Sequence, residues 1–180
     1  MKRVCVFAGS SSGARPEYRA AASELGRALV ARGIGLVYGG ARVGLMGIVA
    51  DAVLAGGGDV VGVIPSAMVA KEIAHDGVTD LRIVSSMHER KATMADLADG
   101  FLALPGGWGT WDELFEIVTW AQLGLHRKPC GLLNAGGYFD PLLTFIAHAV
   151  EEGFVRREHA GMLVVSATAA PLLDRLATPR

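Results

Sequence analysis

Short apolar runs rich in β-branched residues recur along the chain, and between them apolar side chains return at helical spacing. The runs fall near residues 3 to 8, 34 to 38, 59 to 64, 81 to 85, 100 to 104, 130 to 134 and 162 to 166. Each has the length of one strand. Tyr18, Ala22, Leu25 and Leu29 share one helical face, as do Trp111, Leu114, Phe115 and Val118, and Leu142, Phe145, Ile146 and Ala149. Such stripes can each cover one face of a sheet. Strands alternating with helices predict βαβ units with right-handed crossovers, hence an α/β architecture: a doubly wound parallel sheet of seven strands flanked by helices. No composition shift, low-complexity linker or internal repeat divides residues 1–180, so a single domain is expected.

Ligands of such sheets bind beyond the carboxyl ends of the strands. The turns to inspect are therefore Gly9-Ser10-Ser11-Ser12-Gly13, Gly39-Gly40-Ala41-Arg42-Val43-Gly44, Pro65-Ser66, the Ser85 to Lys91 segment and Pro105 to Thr110. Three of them are rich in Gly or Ser, which lets backbone N–H groups approach a ligand at the positive end of a following helix. That pattern predicts an anion or phosphate site. Neither G-x-G-x-x-G nor G-x-x-x-x-G-K-[ST] occurs in the chain. A dinucleotide oxidoreductase and a P-loop NTPase are thereby disfavoured, and the phosphate is expected to belong to a mononucleotide or sugar phosphate.

Composition narrows the partners. With 180 residues, 51% of them hydrophobic, the chain can bury a full core. A formal net charge of -1 leaves no excess of Lys and Arg for a nucleic-acid polymer. Charged or polar residues interrupt every apolar run before the ~18 residues a membrane span requires. The start, Met1 to Ser10, carries two basic residues, but its apolar run is too short for a signal-peptide core and reads as a first strand. Cys5 and Cys130 lie in apolar segments, with no C-x-x-C, and His75, His126, His148 and His159 are scattered without ligand spacing. No metal and no cofactor is implied, and the expected compartment is a reducing cytoplasm.

Three constellations could carry chemistry. In Leu104 to Glu113 a strand ends, glycines follow and a helix is expected to open at Thr110, offering unpaired N–H groups to an anion. Thr110-x-x-Glu113 also fits a capping box, in which the carboxylate only satisfies the helix start. In Ser86 to Leu97 a helical stripe runs through Met87, Met94 and Leu97, and Arg90 falls on it. An inward guanidinium must be paired or line a polar cleft. Lys91 is compatible with a solvated charge, and His88 at a helix start ranks below Arg90 as an acid or base. Gly9-Ser10-Ser11-Ser12-Gly13 matches G-x-S-x-G, but the following helix is expected only near Pro16 and no HGGG segment exists. Covalent catalysis by Ser11 is therefore the weaker reading.

Taken together, these residues resemble one family. Pro105-Gly106-Gly107-Trp108-Gly109-Thr110-x-x-Glu113 is similar to the PGGxGTxxE signature of the Lonely Guy phosphoribohydrolases, and Met87-His88-x-Arg90-Lys91-x-x-Met94 to their second signature. Phe7 to Gly13, Tyr38-Gly39-Gly40, Gly44-Leu45-Met46-Gly47, Gly62 to Pro65 and Thr119 to Gly124 match as well, so the resemblance spans residues 3 to about 155. It implies a Rossmann-like nucleotide-binding fold, a homodimer, and hydrolysis of cytokinin riboside 5′-monophosphates or AMP to free base and ribose 5-phosphate. It implies Arg90 and Glu113 as the catalytic pair. With the glycine turns, it implies substrate contacts from Gly9, Ser10, Gly39, Gly40, Met46, Glu72, Arg90, Lys91, Gly106, Gly107, Trp108, Gly109, Thr110, Trp111, Asp112 and Thr119. Asp112 departs from the Glu common in plant members, and Trp108 and Trp111 replace smaller or differently shaped residues. Similar sequences are often labelled lysine decarboxylases, but neither Lys71 nor Lys91 sits in a cofactor-anchoring context. The rival classes are a non-catalytic carrier, such as the molybdenum cofactor carriers of this general fold, and a nucleotide-sensing regulator.

Overall fold

The structure, a computed structural model, describes residues 1–69 and 74–178. Seven strands form one sheet: β1 (Arg3–Phe7), β2 (Gly35–Tyr38), β3 (Val60–Pro65), β4 (Asp80–Val84), β5 (Gly100–Ala103), β6 (Cys130–Leu133) and β7 (Leu163–Ser166). Each lies within one or two residues of the run that predicts it. Among the described residues the α-helices are α1 (Pro16–Ala31), α2 (Gly44–Ala55), α3 (Met87–Leu97), α4 (Trp108–Gln122), α5 (Asp140–Glu151), the short α6 (Arg157–Ala160) and α7 (Ala169–Ala177).

Period-2 alternation sorts the strand residues into two cores, one per sheet face. Val4, Val6, Leu36, Tyr38, Leu102 and Leu104 pack with Leu25 and Leu29 of α1, Val49 and Val53 of α2, and Leu172 and Leu173 of α7. Their neighbours Cys5, Phe7, Val37, Phe101 and Ala103 face the other way, onto Met94 of α3, Leu114 and Ile117 of α4, and Phe139. A strand buried on both faces must be apolar throughout, which explains the near-continuous hydrophobic runs. Cys5 sits in this second core, where burial first, and then the negative charge of Glu113, push its thiol well above its ordinary pKa. It behaves as a core hydrophobe.

All pairings are parallel, in the order β4-β3-β2-β1-β5-β6-β7. The chain winds outward from β1 in one direction through β2, β3 and β4, then returns to the other side of β1 for β5, β6 and β7. The order therefore reverses between β1 and β5. Beyond their carboxyl ends the two departing loops diverge, which opens the crevice where ligands of doubly wound sheets bind. Among the described residues, no helix is long and apolar enough to cross a membrane.

Candidate active site

A cavity of about 150 Å³ lies at this switch point. Its walls include Ser10 after β1, Gly39 after β2, Met46 of α2 and Arg90 of α3. Gly107, Trp108, Gly109, Thr110 and Glu113 close it from the β5 side. Nine of the residues singled out in the sequence thus surround one space. Val6 and Ala8 also line it and were not anticipated, because apolar strand positions look like ordinary core in sequence.

The backbone at the switch point is tied loop to loop. Gly9 N–H donates to Pro105 O at 3.1 Å, and Gly9 O accepts from Leu45 N–H at 2.9 Å, so the β1 loop is clamped between the β5 loop and the start of α2. Gly9 and Gly106 meet behind the cavity. A Cβ on Gly106 would lie 2.1 Å from Thr110 Oγ1 and 2.9 Å from Gly9 N, so a side chain there would push apart the loops the site depends on. Gly40 points elsewhere, toward Val63 and Ile64.

Arg90 is only 5% exposed, and its burial follows from its place on the inward stripe of α3 with Met94 and Ala95. Its Nε donates to Val63 O at 3.1 Å and its Nη2 to Gly39 O at 2.8 Å. The carbonyls of Val63 within β3 and of Gly39 just after β2 are acceptors for a cation, and together they hold the planar guanidinium in one orientation at the cavity wall. The helix that carries it is capped by Ser86, whose Oγ accepts from Glu89 N–H at 3.1 Å. Glu89 in turn accepts from Ser85 N–H at 2.7 Å. The Ser85 hydroxyl and amide hold the Glu89 carboxylate below its ordinary pKa. This is the reciprocal logic of a capping box, at a place the sequence analysis did not assign one.

At the β5 loop the structure corrects the capping expectation. The helix opens at Trp108 with Gly107 as N-cap, two residues before Thr110, and its ladder begins with Trp111 N–H donating to Gly107 O at 3.0 Å. Thr110 therefore stands inside the first turn and Glu113 well past it, beyond reach of the cap. Gly-Trp-Gly reads as loop because glycine is a poor helix former, yet these exposed residues lead into or form the first turn of the helix. Gly107 to Thr110, the residues whose amides a helix ladder leaves unused, line the cavity. Glu113 is therefore not part of the helix cap, and it lines the cavity.

Helical spacing divides the rest of α4. Thr110, Glu113, Leu114 and Ile117 share the inward half, whereas Trp108, Trp111, Asp112, Phe115 and Thr119 share the other. Trp111, Asp112 and Thr119 accordingly line a separate groove of about 460 Å³ with Phe115 and Trp120, and Trp108 borders both spaces. Lys91 is largely covered and does not line that groove. Its Nζ lies 2.7 Å from Asp112 and 3.4 Å from Glu116, tying α3 to α4. Burial works against its charge, but the hydrogen bond to Asp112 and the charge of Glu116 prevail and raise its pKa. Lys91 and Glu113 also border a small void beside Phe7.

Glu72 and Lys71 lie outside the described residues. His88 is exposed and away from the cavity walls. Ser11 is exposed, with its Oγ accepting from Gly13 N–H at 3.2 Å, and α1 starts only at Pro16. No nucleophile elbow is formed.

Against this geometry, a family model described as "Possible lysine decarboxylase" matches residues 46–176. A probable cytokinin riboside 5′-monophosphate phosphoribohydrolase of Oryza sativa subsp. japonica is 55% identical over 97% of this chain and 83% of its own length. A cytokinin riboside 5′-monophosphate phosphoribohydrolase of Arabidopsis thaliana is likewise 55% identical, over 97% and 80%. Among solved structures, the molybdenum cofactor carrier protein of Chlamydomonas reinhardtii superposes with a TM-score of 0.70 at 22% identity, covering 97% of each chain. That last likeness is one of fold.

Proposed function

Because the chain belongs to the family of the cytokinin riboside 5′-monophosphate phosphoribohydrolases, we propose that it hydrolyses the N-glycosidic bond of cytokinin riboside 5′-monophosphates and AMP, releasing free base and ribose 5-phosphate. The observation that carries this reading is the meeting of Arg90, Glu113 and the first-turn residues of α4 around one cavity at the switch point. An anion fits the amide end, and a carboxylate stands beside it.

We assign the steps as follows. The amides of Gly107 to Thr110 hold the 5′-phosphate at the positive end of α4. As the C1′–N bond breaks, its electron pair leaves with the purine, which takes up a proton. Positive charge then develops on the ribose as at other glycosidic centres. Glu113 stabilises that charge and accepts a proton from the water that adds to C1′. Arg90, fixed on two carbonyls, supplies a second positive group to the bound nucleotide. The remaining substrate contacts expected from the sequence are proposed with it: Gly9, Gly40 and Gly106 as backbone framing, Lys91 through its hold on Asp112, and Trp111, Asp112, Thr119 and Glu72 as further contacts.

Decarboxylation of lysine by a Schiff-base route would require a lysine able to condense with its cofactor. Lys91 is engaged by two carboxylates instead. The assay is direct: incubate the purified protein with AMP and with isopentenyladenosine 5′-monophosphate and separate the products by chromatography. Free base appearing with ribose 5-phosphate in equal amounts is expected. Turnover of neither nucleotide overturns the activity and leaves a binding protein.

We further propose that residues 1–180 act as one cytoplasmic unit that pairs into a homodimer. Trp108 is 85% exposed, Leu123 65% and Phe145 64%, and Phe115 is exposed beside them in sequence. Apolar area of this kind on α4 and α5 is typical of an interface. Sedimentation equilibrium showing only the 18.8 kDa monomer would refute the dimer.

A further inference from the structure

The hydroxyl of Tyr138 donates a hydrogen bond to Gly106 O, joining the loop after β6 to the glycine loop after β5. Gly106 and Gly107 are linked by a trans peptide, as no cis bond occurs among the described residues. In a planar trans peptide the carbonyl and the following N–H point in opposite directions. When Tyr138 draws Gly106 O to its side, the N–H of Gly107 is turned to the other. Gly107, and not Gly106, is the residue that lines the cavity.

Tyr138 is itself held firmly. Its ring meets Tyr18 edge-on at 5.6 Å and Phe139 at 5.0 Å. Arg15 stacks over Tyr18 at 5.6 Å, and its Nη1 donates to Gly136 O at 2.9 Å, two residues from Tyr138. Contacts from the β1 loop, the start of α1 and the β6 loop thus hold the Tyr138 side chain, whose hydroxyl reaches a peptide of the glycine loop after β5. Tyr138 itself is only half-buried, with its ring packed against the second core and its hydroxyl directed to Gly106.

We propose that Tyr138 is a positioning residue of the phosphate site: it fixes the Gly106–Gly107 peptide so that the Gly107 amide is aimed at the 5′-phosphate. This rests on the proposed phosphate placement in the glycine loop, and its effect is confined to ligands carrying phosphate.

The test compares wild type with Tyr138→Phe, which keeps the ring contacts and removes only the hydroxyl. Calorimetric titration with ribose 5-phosphate is expected to show affinity reduced about tenfold, the effect of one misaimed hydrogen bond to a charged group. Affinity for adenosine, which lacks the phosphate, is expected to be unchanged. Equal affinities of the two proteins for ribose 5-phosphate overturn the role, as does an equal loss for adenosine, which would mean general loosening. Failure of the wild type to bind ribose 5-phosphate overturns it too. A second measurement needs no variant: on titration of the ¹⁵N-labelled wild type with ribose 5-phosphate, the Gly107 amide proton should move downfield, and a stationary Gly107 resonance contradicts the proposal. Neither measurement requires turnover, so failure of the base-release assay and failure of this role are separate results.

Discussion

Replacing Gly39 with alanine should separate activity from folding, because of where the new methyl group would fall. A Cβ at Gly39 would stand 2.2 Å from Arg90 Nη2 and 3.2 Å from Met46 Sδ. Ordinary contact is about 3.5 Å, so the guanidinium must retreat by about 1 Å. Gly39 is not among the positive-φ glycines, so alanine fits the backbone itself. What yields is the end of a long side chain. Its retreat breaks the 2.8 Å bond to Gly39 O, and the 3.1 Å bond to Val63 O limits where it can go. A hydrogen bond to a charged group contributes about 1.5–3 kcal/mol, so kcat/KM for AMP should fall about 10- to 150-fold. Steady-state kinetics with chromatographic detection of adenine measures this, and circular dichroism confirms the fold. Activity within about threefold of wild type in a folded Gly39→Ala protein would refute the reasoning: a displaced Arg90 would then be irrelevant to turnover.

Other perturbations test other levels of the account. Leu114 is 1% exposed in the second core, so Leu114→Ala should lower unfolding free energy by about 2–5 kcal/mol in urea; a loss below about 1 kcal/mol would mean that the site collapses around the void. Removing the Lys91 ties to Asp112 and Glu116 with Lys91→Ala should lower Tm by about 2–4 °C, corresponding to about 1 kcal/mol for a partly exposed pair, and an unchanged calorimetric Tm would show that the pairs do not hold α3 to α4. The Asp99 carboxylate accepts from Arg3 N–H and Lys2 N–H, and the Arg3 bond, outweighing burial, holds it below its ordinary pKa. Its contribution is present above the unfolded pKa of about 3.9 and is lost as pH falls through the lower folded value. Urea midpoints between about pH 5 and pH 3 should therefore fall less steeply in Asp99→Asn than in wild type, and parallel profiles would exclude this source of acid sensitivity.

The inner strands were legible because they are buried on both faces and must be apolar along nearly their whole length, and the glycine turns because they follow strands directly. Arg90 stood out as a cation on an apolar stripe, and the structure buries it there. The start of α4 was less legible, since Gly107-Trp108-Gly109 has weak local helix preference and, being exposed, carries no buried apolar position to mark a helical face. That misplacement made Glu113 look like a capping residue. The split between Glu113 on the inward half of α4 and Trp111, Asp112 and Thr119 on the outer half follows from helical spacing once the true start is known. Tyr138 left no mark in sequence at all. Its hydrogen bond joins loops separated by 32 residues, and only the sheet order brings them together.

The central claim is that the Glu113 carboxylate acts at the breaking C1′–N bond, in a cavity that binds the nucleotide by other groups. Single-turnover base release by Glu113→Gln, with AMP binding measured on the same protein, tests it most directly. The isosteric change should leave AMP affinity within about threefold of wild type while slowing base release by at least about a hundredfold. Base release at the wild-type rate from a Glu113→Gln protein would contradict the account.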